Sequence, residues 1–214
     1  MALVGVYTAA VPRTISSAPL RGTASGHLRL SGGLAHVRVR SDAAMPELFR
    51  ARFTGPQPKI RVAGNAVDIV YRGVRPVIWR QQSAQIGLNT SVPWQIEVSG
   101  GLFRSTVDLT GLRVTAVTVD GGASRVEMRL PRPSGMVPIH FRGGASIITV
   151  RRPNGVAVRA VVRGGATKVQ LDGRRVEWTD ETPLSLSDDA GAADRYELEF
   201  TVGANRLIIL KEPN

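Results

Sequence analysis

The chain has 214 residues, of which 43% are hydrophobic and only 5% aromatic, and it carries a formal net charge of +11. This length suits one domain, whose core must be built mainly from aliphatic side chains because aromatic residues are scarce. The sequence contains no cysteine, which excludes disulfide frameworks, zinc thiolate sites and cysteine nucleophiles.

The positive charge is unevenly distributed along the chain. Arginine accounts for 25 of the 28 basic residues. Residues 1–171 contain 23 basic and 7 acidic residues, whereas residues 172–214 contain 5 basic and 10 acidic residues. We interpret the arginines first as solvent-facing strand residues, whose charge also prevents edge pairing. The alternatives are an anion-binding face for lipid headgroups, nucleic acid or an acidic protein, and head-to-tail stacking of the acidic end on a basic face.

Residues 1–23 are interpreted as an N-terminal lead-in with at most one edge strand. They lack the basic region and the continuous apolar core of a signal peptide, and no stretch of the chain has the ~18 apolar residues of a membrane span. We therefore expect a cytoplasmic protein that reaches a membrane only through a partner or a tether. The predicted domain covers residues 24–210, and residues 211–214 form a tail.

Two early segments alternate apolar and polar residues on both sides of a glycine. Residues 28–39 contain the pair Gly32–Gly33, and residues 60–71 contain Gly64. Alternation with period two is typical of half-buried strands. Between these segments, we expect a short helical turn near residues 43–48.

The central stretch, residues 94–172, repeats this pattern four times, with glycine pairs 21, 22 and 21 residues apart. A fixed period of this length is the signature of a solenoid, whose turns bury their apolar faces by stacking at roughly 4.8 Å. Glycine suits the corners because positive φ costs it nothing; an anion nest is the alternative interpretation of each pair. The predicted corners are Gly100, Gly101, Gly121, Gly122, Gly143, Gly144, Gly164 and Gly165.

A weaker copy around Gly203 brings the number of candidate turns to seven. A second short helical turn is expected near residues 185–193. The sequence therefore predicts an all-β, single-chain β-solenoid of about seven turns, with a ~21-residue central repeat and irregular end caps.

Two stretches resemble a known family of bacterial domains. Residues 47–62 and residues 92–112, the latter including Trp94 and the first central glycine pair, are similar to toastrack domains. This family includes the C-terminal region of LiaF-type envelope-stress proteins and YvlB-like adhesin-domain proteins. The resemblance implies a β-solenoid fold over nearly the whole chain and an association with membrane-proximal signalling, and it brings no catalytic residues.

Arginine-flanked Trp79 makes residues 71–82 the first choice for a contact surface, because tryptophan beside arginine suits membrane interfaces and stacking on nucleic-acid bases. Its predicted contact residues are Arg72, Arg75, Trp79 and Arg80. A loop folded onto the solenoid flank is the simpler interpretation. Trp94 is expected to cover one end of the ladder, and Trp178 to act as a cap.

The remaining polar residues give no catalytic constellation. His27, His36 and His140 have no carboxylate at metal-ligand spacing and are interpreted as ordinary strand residues. The acidic pairs Asp180–Glu181 and Asp188–Asp189 lie in a stretch with loop composition, which is where a cation would be sought. No nucleophile elbow, P-loop or dinucleotide fingerprint occurs.

The sequence therefore predicts a protein that is not an enzyme, needs no metal or other cofactor and has no evident small-molecule substrate. The predicted function is an interaction or sensing module of bacterial envelope-stress or surface-linked signalling, which presents a basic face to a protein or anionic partner. Two alternatives remain: a structural solenoid that self-assembles through its open ends, and arginine-mediated nucleic-acid binding. An anionic membrane surface is a further candidate partner.

Overall fold

The structure, a computed structural model, describes residues 13–71, 83–164, 166–177, 183–189, 191–201 and 203–212. Within these ranges every regular secondary-structure element is a β-strand. The strands in chain order are β1 (Arg13–Pro19), β2 (Gly26–Ser31), β3 (Leu34–Asp42), β4 (Glu47–Thr54), β5 (Lys59–Ala63), β6 (Ala66–Val70), β7 (Ser83–Asn89), β8 (Pro93–Ser99), β9 (Leu102–Asp108), β10 (Arg113–Asp120), β11 (Ala123–Arg129), β12 (Met136–Phe141), β13 (Ala145–Arg152), β14 (Ala157–Val162), β15 (Ala166–Leu171), β16 (Arg174–Glu177), β17 (Leu184–Ser187), β18 (Arg195–Phe200) and β19 (Ala204–Lys211).

The strands form two sheets. Sheet 1 has ten strands in the order β1-β4-β7-β3-β9-β11-β13-β19-β15-β16, and sheet 2 has nine in the order β17-β14-β18-β12-β10-β8-β2-β6-β5. Seven strands of sheet 2 are each followed along the chain by a strand of sheet 1, and each such pair makes one turn of a solenoid. The predicted all-β solenoid of about seven turns is confirmed.

The turns are in register, so their inward residues form ladders that run through the core. One ladder in sheet 2 connects seven buried residues, and the register of each neighbouring pair is parallel. Each of these side chains is at most 1% exposed, and burial of an aliphatic side chain of this size contributes roughly 1.5–3 kcal/mol. The ladder consists, in spatial order, of Val67, Leu28, Ile96, Val117, Ile139, Leu198 and Ala160.

Glycine corners stack directly on one another. Gly100 and Gly121 have φ angles of 113° and 128°, in the region that favours glycine. A Cβ at Gly121 would collide with the Gly100 carbonyl oxygen, and a Cβ at Gly100 would lie 2.6 Å from the Gly32 carbonyl oxygen. Both the backbone angle and the close approach therefore require glycine at these corners.

The order of the turns in space differs from their order in the chain. The fourth central copy, β14–β15, does not pair directly with the third, β12–β13. Instead the C-terminal turn, β18–β19, lies between them and pairs in parallel with both. At the other end, the turn made by β2 and β3 lies between β6–β7 and β8–β9.

Antiparallel strands border both sheets. β1 and β4 extend sheet 1 beyond β7, β16 pairs with β15, and in sheet 2 β5 and β17 pair with β6 and β14. The edge strands carry charges such as Lys59, Arg61 and Arg174, which oppose pairing with the edge of another molecule.

Two local predictions are wrong. The expected helical turns near residues 43–48 and 185–193 are absent from the described residues there, which contain a turn that leads into β4 and the strand β17. Trp94 does not cover an end of the ladder. It is fully buried in the middle of sheet 2, where its indole packs so closely on Gly26 that a Cβ there would lie 2.5 Å from Trp94 Cε3. Trp178 lies outside the described residues.

Candidate functional site

The predicted contact surface lies outside the described part of the chain. Arg72, Arg75, Trp79 and Arg80 belong to residues 72–82, which connect β6 to β7. That interpretation stays a prediction, and the candidate site is built from residues that the sheets position.

The predicted solenoid corners lie between the two strands of a turn. The N–H of Gly100 donates to the Asp120 carbonyl oxygen at 2.8 Å, and the N–H of Gly32 donates to Ser99 O at 2.9 Å. Because neighbouring turns use these donors, the two amides are not free to form an anion nest. Gly100 and Gly101 follow β8, Gly121 and Gly122 follow β10, Gly143 and Gly144 follow β12, Gly164 follows β14, and Gly165 lies outside the described residues.

Two of the histidines face carboxylates that are distant in sequence. His27 Nε2 lies 3.1 Å from Glu97 Oε1, and His140 Nδ1 lies 3.2 Å from Glu199 Oε2. A hydrogen bond from Arg163, followed by the contact with His140, lowers the pKa of Glu199 below its ordinary value. No group of three or more potential metal ligands occurs among the described residues, so these contacts are interpreted as structural contacts between strands.

The acidic candidates do not converge on a cation site in the described structure. Asp180 and Glu181 lie outside the described residues. Asp189 accepts a hydrogen bond from the Gly191 N–H at 3.2 Å in an exposed turn. Asp188, the neighbouring residue, contacts the basic side chains of Arg152 and Lys211 instead.

Asp188 belongs to an ion-pair network around a fully buried arginine. Arg152 Nη2 donates to Asp172 Oδ2 at 2.5 Å and to Asp188 Oδ2 at 2.8 Å, and Lys211 Nζ lies 3.3 Å from the same Asp188 oxygen. Burial raises the pKa of Asp188, but the hydrogen bond from the Val158 N–H and the charges of Arg152 and Lys211 outweigh it, so the pKa lies below its ordinary value. This network connects β13 and β19 to the segments after β15 and β17.

The outer face of sheet 1 has a trough between two rows of arginines. Arg50 and Arg40 flank Gly87 in register, and Arg52 and Arg38 flank Gln85 in the same way. The three strands alternate inward and outward residues, so all four arginines project outward from β3 and β4 while β7 presents only small or neutral side chains between them. We call these six residues the arginine trough.

Most of the positive charge at this trough is uncompensated. Arg50 donates twice to Glu47, at 2.7 and 2.9 Å, and this contact lowers the pKa of Glu47 and raises that of Arg50. Arg38, Arg40 and Arg52 are exposed, and none of them makes an ion pair or a side-chain hydrogen bond with another described residue. The exposed face therefore has three free guanidinium groups within a small area.

Further along sheet 1, the outward row continues with more cations. Arg104 is in register with His36 and Arg125, and Arg206 with Lys168. Arg104, Arg125, Lys168 and Arg206 form no ion pair with a described residue. Ile147 separates Arg125 from Arg206 in this row, so the basic face of sheet 1 consists of separate groups of cations, with the highest density of arginine at the trough.

The larger concave surface lies on the outer side of sheet 2 and encloses about 660 Å³. Its lining contains four basic and three acidic side chains. Arg29 Nε lies 2.7 Å from Asp68 Oδ1, and Glu97 contacts His27. Because these charges largely compensate one another, the groove has much less excess positive charge for its size than the trough.

Sequence reasoning missed the trough although its signal is present in the sequence. Val37 to Arg40 and Phe49 to Arg52 both alternate apolar residues with arginine. These arginines were interpreted as decoration of solvent-facing positions. Their convergence depends on β7 lying between β3 and β4, and this order cannot be inferred from the alternation.

No protein-family model and no curated protein sequence matches the chain. Among solved structures, a "putative cell adhesion protein" from Clostridium sporogenes ATCC 15579 is similar, with 19% identity and a TM-score of 0.70 over 94% of this chain and all of the other. This likeness shows the all-β fold. A "putative adhesin" from Bacteroides fragilis NCTC 9343 covers 94% of this chain and 98% of its own at 7% identity, and its TM-score of 0.30 carries no argument.

None of the described residues belongs to a helix of the length and apolarity needed to cross a membrane.

Proposed function

We propose that the chain is a non-enzymatic interaction module that binds an anionic partner through the basic face of sheet 1. This proposal rests on the outward arginines of sheet 1 that have no carboxylate partner among the described residues. The groove on sheet 2 balances four basic with three acidic side chains, and the polar clusters of the described residues offer no arrangement of nucleophile, base and oxyanion donors.

The comparisons support the class of function. The Clostridium sporogenes structure, which shares the fold, is described as a "putative cell adhesion protein". Adhesion is binding without chemical conversion. The sequence resemblance to toastrack domains supports a place in surface-linked or envelope-stress signalling. Self-assembly through the solenoid ends is less favoured, because antiparallel strands occupy all four sheet edges and two of these strands, β5 and β16, are charged.

The test compares two triple variants with the same net charge. Arg38→Ala, Arg52→Ala and Arg104→Ala remove free cations from sheet 1, whereas Lys59→Ala, Arg61→Ala and Arg142→Ala remove free cations from sheet 2. Binding of the full chain to heparin, to single-stranded DNA and to phosphatidylserine vesicles is measured at 50 and 200 mM salt, with phosphatidylcholine vesicles as the neutral control.

We expect salt-sensitive binding to at least one anionic probe, and we expect the sheet 1 variant alone to lose it. Equal losses in both variants would show that only net charge matters and would overturn the assignment to sheet 1. Failure of every anionic probe to bind at 50 mM salt would overturn the proposed function.

A further inference from the structure

The arginine trough has the dimensions of a site for repeated anionic groups. Its walls, β3 and β4, are separated by the width of β7, so their backbones lie about 10 Å apart. Along each wall, the two arginines are two residues apart, which places them roughly 7 Å from one another. Two cavities of about 130 and 300 Å³, whose linings share Gln85, lie at these arginines.

Gly87 is buried at the floor of this trough, beside the Asp42 side chain, at a position where the backbone does not require glycine. Its φ angle is outside the left-handed region, and a Cβ there would make only ordinary contacts, at 3.5 Å from Arg50 O and 3.7 Å from Asp42 Cβ and Oδ2. Glycine inside a strand lowers stability, and it often marks a place where another molecule approaches closely. The missing side chain therefore matters for the space above the strand.

Within the described residues, three of the four trough arginines lack the carboxylate partner that several other arginines have. Arg29, Arg129, Arg151, Arg159 and Arg163 all form ion pairs with carboxylates. Clustered free arginines repel one another, and a bound anion would remove that repulsion. The nearby carboxylates are Glu47, which Arg50 occupies, and Asp42, which lines the smaller cavity. Three guanidinium groups thus remain available to a ligand.

The neutral floor indicates the class of ligand. Gln85 lies between Arg38 and Arg52. Ser83 and Thr106 line the cavity beside Arg38, and these amide and hydroxyl groups suit a ligand that carries its own hydroxyls. Apart from His36, no aromatic side chain of the described residues lines either cavity, although stacking on aromatic rings is the usual way to hold single-stranded nucleic acid. Guanidinium forks bind sulfates and carboxylates in a bidentate manner.

We infer that the arginine trough is a binding site for an acidic glycan, whose sulfate or carboxylate groups contact the two arginine walls while its hydroxyl groups contact the floor. This inference rests on the proposed function and names the class of its partner. The remaining cations of sheet 1 extend the site for a longer chain but do not define it.

The test uses the full chain and a heparin hexasaccharide, with isothermal titration or fluorescence anisotropy as the measurement. The trough variant carries Arg38→Ala and Arg52→Ala, and the matched control carries Arg125→Ala and Arg206→Ala on the same face. We expect affinity to fall by about tenfold or more in the trough variant and by less than about threefold in the control. A neutral dextran oligosaccharide of similar size should not bind.

Gly87→Ala is a second variant that does not change the charge. The added methyl group fits the backbone, so thermal stability should be kept or slightly increased, while affinity for the hexasaccharide should fall because the floor is raised. A variant that binds as well as the original protein would overturn the role assigned to Gly87 and the placement of the ligand over β7.

The outcomes separate this inference from the proposed function. If both arginine variants weaken binding equally, the basic face is the binding surface, but the trough is not a specific site within it. If single-stranded DNA binds more tightly than the hexasaccharide and shows the same dependence on Arg38 and Arg52, the trough is the binding site, but its ligand is not a glycan. If the hexasaccharide does not bind while anionic vesicles do, the glycan assignment falls and the proposed function remains.

Discussion

The middle of the solenoid and its ends differ in how the order of the turns in space follows their order in the chain. From β8 to β13, turns that are consecutive in the chain are also neighbours in both sheets. At each end, a turn from elsewhere in the sequence lies between two others. The comparison shows that a repeat specifies stacking but not the order of stacking, because every turn presents the same kind of hydrogen-bonding edge and the same aliphatic ladder.

Buried polar contacts stabilise the non-consecutive order of the turns at the two ends of the solenoid. At the C-terminal end, buried Arg152 connects β13 to Asp172, Asp188 and the carbonyl oxygen of Val156. At the N-terminal end, buried Asn89 donates to Met45 O and Glu47 O, at 2.6 and 2.9 Å. Polar groups buried at a single position can select one arrangement among similar ones, since only that arrangement satisfies them.

Deletion of the C-terminal turn should have the largest effect. Removing residues 195–214 takes β18 and β19 out of the interior of both sheets, and it exposes the strands on either side of the gap. We expect loss of cooperative thermal unfolding, measured by circular dichroism, because each buried side chain lost is worth roughly 1.5–3 kcal/mol against a typical total of about 5–15 kcal/mol. The five largest such side chains are Tyr196, Leu198, Phe200, Leu207 and Ile209.

Deletion of residues 1–19 is the control for this truncation, because among the described residues it removes only the edge strand β1. The shortened protein should unfold cooperatively at a slightly lower temperature. A C-terminal truncation that melts within a few degrees of the full chain would show that β14–β15 can close onto β12–β13, and the contrast between middle and ends would then be small.

A substitution within the regular middle should come next in size. Gly121→Ala forces an unfavourable φ of 128° and a collision with the Gly100 carbonyl oxygen, so we expect a loss of about 3 kcal/mol in the free energy of unfolding. Gly122→Ala is the matched control, since its nearest neighbour would be Gly144 O at 3.9 Å. Urea denaturation of both variants measures the difference, and equal stabilities would contradict the stacked-corner interpretation.

Removal of one partner from the buried network should cost somewhat less. Asp188→Asn keeps the shape of the side chain but leaves Arg152 with one carboxylate, Asp172, in a buried position. We expect a loss of about 2 kcal/mol in the free energy of unfolding. Asp189→Asn is the control in the same loop, because Asp189 contacts only the Gly191 N–H there. Urea denaturation should show a clear loss for the first variant and almost none for the second; similar losses would mean that Arg152 does not depend on Asp188.

The pH dependence should be the smallest of these effects. The pKa of Asp188 is lower in the folded protein than its ordinary value, so the stabilisation that it contributes is fully present above the unfolded pKa, about 3.9. It is lost as the pH falls below 4 through the folded pKa. Melting temperatures between pH 3 and 7 should therefore decline at the acidic end, and the decline should be shallower in Asp188→Asn. Parallel declines in the two proteins would exclude Asp188 as a contributor.

Much of the fold could be predicted, whereas little of the candidate site could. The alternation of residues such as Val126, Met128 and Leu130 predicts strands, because side chains along a strand alternate between two faces. The arginine trough was not predictable, because Arg38 and Arg52 are brought together only when β7 pairs with both β3 and β4. Carboxylates beside His27 and His140 were missed for the same reason, since each comes from a different strand.

The sequence by itself determined the strands, the glycine corners and the number of turns, because these follow from local periodicity and from backbone angles that glycine alone adopts readily. Tertiary structure decided which turns are neighbours, where the basic residues converge and which acids are neutralised. Those outcomes depend on pairings between residues far apart in the chain, such as Arg152 with Asp188, and parallel ladders of similar aliphatic side chains do not encode a unique order.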